Sequence, residues 1–313
     1  MMLAYQFPGQ GAQSTGFLHR LPQHPVVHAT LDEASQVLSG QMLTLDTPDA
    51  LRSTVAVQIG LLVAGVAMVR VLADAGLTPD ISAGLSVGAY AAAVSCGALE
   101  FADALRMVRK RAELMEAAYP AGYGLAAISG LTEHQLENLA AEQTKEGLPP
   151  VYIGNVNAPR QIVMAGADAA LVALIERALA SGARKATRLA VSVPSHCELL
   201  ADAADQLTEY ARDVPFHTPS GIYVGNRRGR ALYSAEAIRD DLVTNMRYTV
   251  RWFDALTVML EMGAKVLVEA PPGQVLTDIV RENWPETIAI ATSSIAPNQW
   301  VATVLRRLAA DER

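Results

Sequence analysis

Apolar and polar positions follow one another along this chain with two different periods. Short, nearly continuous apolar runs occur at residues 3–7, 81–85, 222–225 and 265–269. They are too short for helices and are bounded by glycine, proline or charge, which predicts buried strands. Longer segments with apolar residues three and four apart predict helices over 48–75, 87–96, 101–118, 197–211, 238–245, 250–262 and 274–283. The helix over 48–75 is mostly apolar and is closed by Gly76 and Pro79. Residues 12–47 carry no comparable pattern and read as a polar loop region. Strands without a polar face, alternating with helices, predict a parallel sheet covered on both sides.

Residues 124–193 follow another order. A strand over 124–130 leads to a helix over 132–145, opened by the capping box Thr132…Gln135. Two strands, 151–155 and 161–165, flank the turn Asn157-Ala158-Pro159. A helix over 168–180 is closed by Gly182, and a strand over 188–193 follows. The order βαββαβ is that of a ferredoxin-like unit. The expected organisation is α/β, with a large discontinuous domain of residues 1–123 and 194–313 and a small domain of residues 124–193 inserted in it.

Composition narrows the functional classes. In 313 residues, 51% are hydrophobic and 18% charged, which fits a well-buried core and excludes disorder. A net charge of −7 argues against non-specific nucleic-acid binding. Cys96 and Cys197 form neither a disulfide framework nor a metal-ligand cluster, so no metal is expected and a reducing, cytoplasmic compartment is. The start, MMLAYQFPGQG, lacks the features of a signal peptide. The apolar run 55–69 contains Gln58 and ends at Arg70, which reads as a buried helix rather than a membrane span.

The chemistry centres on Gly84-Leu85-Ser86-Val87-Gly88. This G-x-S-x-G pattern turns a strand sharply into a helix and leaves the serine hydroxyl at the helix N-terminus, where it can be acylated. Small-residue runs also produce the pattern as an ordinary strand–helix turn. A nucleophilic serine needs a base, and the chain has six histidines. His19, His24 and His28 fall in the polar loop region, His134 in the first turn of a polar helix, and His217 in a proline-flanked turn. His196 follows the predicted strand 188–193 and opens a helix, at the strand end where α/β proteins place their sites. It reads either as the base or as a hydrogen-bonded core histidine. The backbone N–H of Val87 is a natural oxyanion donor, and the turn Gly9-Gln10-Gly11 offers a second. Arg111 shares a helix with Arg109 and Lys110, and helical spacing points the three apart. It is either solvated or turned into a pocket, where its planar fork would bind an acyl group with a free carboxylate.

Five segments then occur in order: Gln6-Phe7-Pro8-Gly9-Gln10-Gly11-Ala12-Gln13, the serine elbow, Arg111-Ala112-Glu113-Leu114-Met115, Val191-Ser192-Val193-Pro194-Ser195-His196-Cys197 and Glu269-Ala270-Pro271-Pro272-Gly273-Gln274-Val275-Leu276. Together, over residues 4–282, the chain resembles the malonyl-CoA:acyl-carrier-protein transacylases. The resemblance implies an α/β-hydrolase-like core with a ferredoxin-like small domain. It implies that Ser86 takes malonyl from malonyl-CoA, with His196 as its base and then the acid for the leaving thiol. It also implies that Gln10 and Val87 donate N–H groups to the oxyanion, and that Arg111 pairs with the malonyl carboxylate. The histidine would be oriented by a backbone carbonyl, at a position usually Gln in the family and here Asn245. No bound cofactor is implied; the acceptor is the thiol of an acyl carrier protein's prosthetic group.

The chain departs from the family pattern where Leu85 replaces a usual His, Val87 a Leu, Ala89 a Glu and Pro271 a Gly. In its elbow it looks most like the epsilon subunit of bacterial malonate decarboxylases, which loads a dedicated carrier protein and would meet other subunits of that complex. Alternatives stay open: a malonyl transacylase of fatty-acid or polyketide synthesis, a serine hydrolase of thioesterase type with no need for Arg111, or a scaffold that binds acyl-CoA without using Ser86. Arg227, Arg228 and Arg230 read either as a patch for the anionic carrier or as a solvated turn.

Overall fold

The computed structural model describes residues 2–119 and 121–310. Among these residues are ten strands and eleven α-helices. In chain order they begin with β1 (Met2–Phe7), α1 (Pro25–Leu38), α2 (Thr54–Asp74), β2 (Ile81–Gly84), α3 (Gly88–Ser95) and α4 (Phe101–Ala118). Then come β3 (Tyr123–Ser129), α5 (Glu133–Lys145), β4 (Val151–Ala158), β5 (Gln161–Ala167), α6 (Asp168–Ala180) and β6 (Lys185–Arg188). The chain continues with α7 (Ala201–Tyr210), β7 (Ile222–Val224), β8 (Ala231–Leu232), α8 (Ala235–Thr244), α9 (Trp252–Glu261), β9 (Ala264–Glu269), α10 (Val275–Asn283), β10 (Ile288–Ala291) and α11 (Trp300–Ala310).

The six-stranded sheet has the order β10-β9-β1-β2-β7-β8. All its pairings are parallel except that of the short edge strand β8 with β7. Period-two alternation supplies both faces. Leu3, Tyr5, Phe7, Val266 and Val268 enter one core with α1–α4, α7, α8 and α11, while Ala4, Ile81, Ala83, Val224 and Leu267 enter another with α9 and α10. The apolar helix α2 is long enough to cross a membrane by length and hydropathy, but 83% of its apolar window lies buried inside this protein, so it is a core helix.

The second sheet has the order β4-β5-β3-β6, all antiparallel, which is the ferredoxin-like arrangement of a βαββαβ unit. Ala126, Ile128, Val156, Ile162 and Met164 on one face pack under α5 and α6. The opposite face, with Leu125 and Val163, turns toward the large sheet and meets Val191 and Cys197. Backbone bonds from Val156 N–H to Val250 O (2.9 Å) and from Val250 N–H to Gly154 O (2.9 Å) tie β4 to the chain entering α9.

Four expectations need correction. The polar region 12–47 contains α1, opened by Pro25 and capped by the His24 side chain, which accepts the Val26 N–H. The helix expected over 48–75 starts at Thr54, after the Ser53 cap. The strand expected over 188–193 lies instead at Lys185–Arg188, because the chain leaves the sheet after Arg188, where Leu189 and Val191 wall a cavity. The turn expected at 157–159 comes later, since β4 runs to Ala158. The strands β8 and β10 and the helix α11 had no counterpart in the hydropathy reading.

Candidate active site

Ser86 sits between β2 and α3 with φ +57°, in the left-handed region that costs an L-residue strain. The flanking glycines make that turn possible. A Cβ on Gly84 would lie 2.0 Å from the carbonyl carbon of Gly88, and one on Gly88 would lie 2.2 Å from Phe7 O. The loop after β1 lies over the elbow, with Gly9 so close that a Cβ there would meet Leu85 Cδ2 at 2.7 Å. Among the described residues, the backbone N–H groups of Val87 and Gln10 have no hydrogen-bond partner. Gln10 lines the cavity onto which Ser86 opens, and Val87 directly follows Ser86 in the chain.

His196 meets Ser86 from the far side of the chain. It does not follow a strand. It ends the loop after β6, with φ +69°, and precedes a short 3-10 turn before α7. Its own N–H donates to Met246 O (2.7 Å). Its Nδ1 lies 2.8 Å from the carbonyl oxygen of Asn245, which can only accept, so Nδ1 carries the proton. Nε2 is then the acceptor for the Ser86 hydroxyl, at 2.7 Å. Burial, and secondly the charge of Arg111, hold the imidazole pKa down to about 3. Such a histidine stays neutral and keeps its lone pair for the hydroxyl proton.

Arg111 is fully buried, whereas its neighbours Arg109 and Lys110 are only half-buried. Its Nη1 donates to Gln58 Oε1 (2.6 Å). Its Nη2 donates to Ser86 Oγ (3.2 Å) and to Asn245 Oδ1 (3.2 Å). Gln58 Nε2 is fixed in turn by the Met115 sulfur at 3.5 Å. Among the described residues no carboxylate pairs with this guanidinium, and its Nε has no partner. Burial lowers its pKa to about 10, so it is a cation at neutral pH. A buried cation with neutral partners leaves room for one incoming anion.

The cavity over Ser86 has a volume of about 230 Å³. One wall is the loop 8–12 with Val275 and Leu276. The other is the free face of the small sheet, with Leu125, Val163, Leu189 and Val191. Asn155 and Asn157 project into it from β4, each over nine-tenths buried and with an Oδ1 that lacks a partner. Two residues apart in one strand, both line the same cavity. Sequence reasoning passed over these two asparagines, and also Asn226, which binds the elbow directly. It noted Gln58 only as a polar interruption of an apolar helix, which is a fair signal for an inward polar contact. Of the candidate basic patch, Arg227 stacks on Tyr248 at 3.7 Å, while Arg228 and Arg230 are exposed in the turn between β7 and β8. His19, His28, His134 and His217 are exposed, and His24 is half-buried as the cap of α1.

Ser86, His196, Arg111 and Asn245 are therefore joined in one hydrogen-bonded network across four separate segments, with Ser86 and Asn245 each bonded to both His196 and Arg111. A hydroxyl bonded to a neutral, oriented imidazole beside unused N–H groups has the parts of a covalent acyl-transfer site. Comparison with known proteins points the same way. The family described as "Acyl transferase domain" matches residues 4–308. A relative named malonyl CoA-acyl carrier protein transacylase, from Haemophilus influenzae, is 37% identical over 94% of this chain and 96% of its own. The crystal structure of an acyl-carrier-protein S-malonyltransferase from Burkholderia pseudomallei superposes with TM-score 0.91 at 35% identity, covering 98% of this chain and 100% of that one. A structure described as a type II PKS acyl-carrier protein in complex with its malonyl-transacylase also superposes with TM-score 0.91 at 35% identity, covering 98% and 99%. The chain belongs to the acyl transferase family and, within it, to the malonyl CoA-acyl carrier protein transacylases.

Proposed function

We propose that this enzyme moves a malonyl group from CoA to the thiol of an acyl carrier protein through a malonyl ester on Ser86. The single observation that carries the reading is the buried Arg111 cation, 3.2 Å from the nucleophile and without a carboxylate partner among the described residues. Ser86 Oγ attacks the thioester carbon and gives its proton to His196 Nε2. The N–H groups of Val87 and Gln10 take the developing oxyanion, and Arg111 takes the terminal carboxylate in bidentate fashion. The C–S bond breaks, and the CoA thiolate leaves with the proton from His196. The carrier thiol then repeats these steps in reverse, so no net redox change occurs. The orphaned acceptors of Asn155 and Asn157 suit the amide N–H groups of a pantetheine arm, which CoA and the carrier share. Exposed Arg228 and Arg230 suit the carrier's anionic surface.

A finer assignment goes with this reading: the acceptor is the carrier of a malonate decarboxylase, in the cytoplasm. The Gly-Leu-Ser-Val-Gly-Ala elbow, with apolar Leu85 beside the nucleophile, favours it over a carrier of fatty-acid or polyketide synthesis. Mixing the enzyme with malonyl-CoA should add one malonyl mass, on the peptide carrying Ser86, and Ser86→Ala should remain unmodified. An adduct on any other residue would overturn the mechanism. Discharge of the adduct to carriers of both kinds tests the finer assignment, which predicts faster transfer to the decarboxylase carrier.

A further inference from the structure

The nucleophile has a support that neither the elbow pattern nor the base accounts for. Asn226 follows β7 and is buried beside Ser86. Its Oδ1 accepts the Ser86 backbone N–H at 2.8 Å, and its Nδ2 donates to Gly84 O at 2.8 Å. One side chain thus bridges both ends of the turn that holds Ser86 at φ +57°. Asn226 is itself fixed. Its backbone N–H donates to both carboxylate oxygens of Asp241, at 3.0 and 3.1 Å, and its carbonyl accepts the Arg251 N–H at 2.8 Å. Asp241, fully enclosed on α8, also accepts from Tyr223 Oη (2.8 Å) and from the Arg227 N–H (3.2 Å). The chain makes room for that carboxylate with Gly225, where a Cβ would lie 2.8 Å from Asp241 Oδ1.

We propose that Asn226, backed by Asp241, is a positioning residue that clamps the serine elbow in its left-handed turn and so sets the line between Ser86 Oγ and His196. The clamp has a second effect. It occupies the Ser86 N–H, which leaves the N–H groups of Val87 and Gln10 as the oxyanion donors. The inference rests on the proposed use of Ser86 as nucleophile, but not on malonyl as the acyl group.

Two reagents keep those readings apart: malonyl-CoA, and phenylmethylsulfonyl fluoride, a neutral reagent that needs only a well-placed serine. Asn226→Leu leaves the Ser86 N–H and Gly84 carbonyl buried without partners, and a small misplacement of reacting atoms is enough for a loss of about 100-fold. Both the malonylation rate at saturating malonyl-CoA and the sulfonylation rate of Ser86 should fall by that factor. Asn226→Asp keeps the acceptor for Ser86 N–H and loses the donor to Gly84 O, so a fall of about 10-fold is expected. Affinity for malonyl-CoA, measured on the Ser86→Ala background, should stay within about threefold, since Asn226 touches no substrate. The proposal is overturned if folded Asn226→Asp is sulfonylated within twofold of the wild-type rate, if the loss lies wholly in affinity, or if neither variant folds. Should Asn226→Leu alone fail to fold, Asn226→Asp decides the question. A wild-type enzyme that is sulfonylated on Ser86 but never malonylated would sink the malonyl reading and leave the clamp standing.

Discussion

Two groups of polar side chains face the same cavity from opposite walls, and they are held in opposite ways. Ser86, in the turn after the inner strand β2, and His196, in the loop before α7, line the cavity, with Asn245 behind them at the end of α8, and each of the three makes two or more hydrogen bonds to fixed partners. Asn155 and Asn157 belong to the antiparallel sheet, and each leaves an acceptor unmade. In the proposed mechanism Ser86 and His196 carry the reacting atoms, whose geometry tolerates little error, and their surroundings overdetermine them. Recognition instead needs groups whose bonding is completed by what arrives, and an unmade bond is the structural form of that readiness. Arg111 lies between the two cases: three donated bonds hold it in place, yet its charge has no anionic partner among the described residues.

The sharpest way to break the overdetermined wall is to add one carbon. Gly84→Ala puts a methyl group 2.0 Å from a backbone carbon. The three nearest atoms all belong to the backbone of Gly88 and Ala89, none to a flexible side chain, so the elbow must open. A loss of more than about 3 kcal/mol in denaturant unfolding is expected, together with loss of Ser86 acylation. A variant that stays within about 1 kcal/mol of wild type would show the turn to be far softer than its packing implies.

Arg111→Ala tests the intermediate case and changes its sign with the acyl group. Malonyl transfer should fall while acetyl transfer is spared or rises, a relative swing of about 2–4 kcal/mol in kcat/KM. A pH profile sharpens this. In the wild type His196 has its pKa lowered to about 3, so its basic form persists throughout the working range and acetyl transfer should be flat from pH 8 to pH 5. Burial is the larger cause and remains in the variant. The charge of Arg111 is the second cause and is gone, so the imidazole becomes more basic. The acid limb of acetyl transfer therefore moves to higher pH in Arg111→Ala. Equal loss of both acyl groups with an unmoved profile would make Arg111 structural.

Much of this site is legible in the sequence, and the parts that are not share a cause. Helices α4 and α6 stand where hydrophobic spacing places them, and the capping box of α5 closes as its residues predict. Glycines flanking a serine announce a turn, because backbone crowding leaves a residue-type signature. Position along a helix separates Arg111 from Arg109, although only the fold shows which of the three cations is turned inward. The loop 189–195 misleads for a physical reason: Leu189 and Val191 are apolar in order to wall a cavity, and a sequence does not distinguish that from pairing in a sheet. Asn155, Asn157 and Asn226 carry no periodic signal at all. An asparagine in a strand end or a turn looks the same whether it faces water, a peptide group or a substrate.

The smallest expected effect bears most directly on the half-made wall. An acceptor buried without a partner costs stability, and deleting it removes that cost. Asn157→Ala should therefore leave the melting temperature unchanged or slightly higher, while KM for malonyl-CoA rises by roughly 5- to 10-fold, about 1 kcal/mol. Asn155→Ala should behave alike, although β4 is pinned next to it by the Val156–Val250 bond, so more of its effect falls on stability. Substitution on the other wall gives the reverse pattern, with stability lost and affinity for malonyl-CoA kept. If Asn157→Ala lowers the melting temperature and leaves KM alone, its side chain belongs to the scaffold, and the distinction between the two walls fails at that residue.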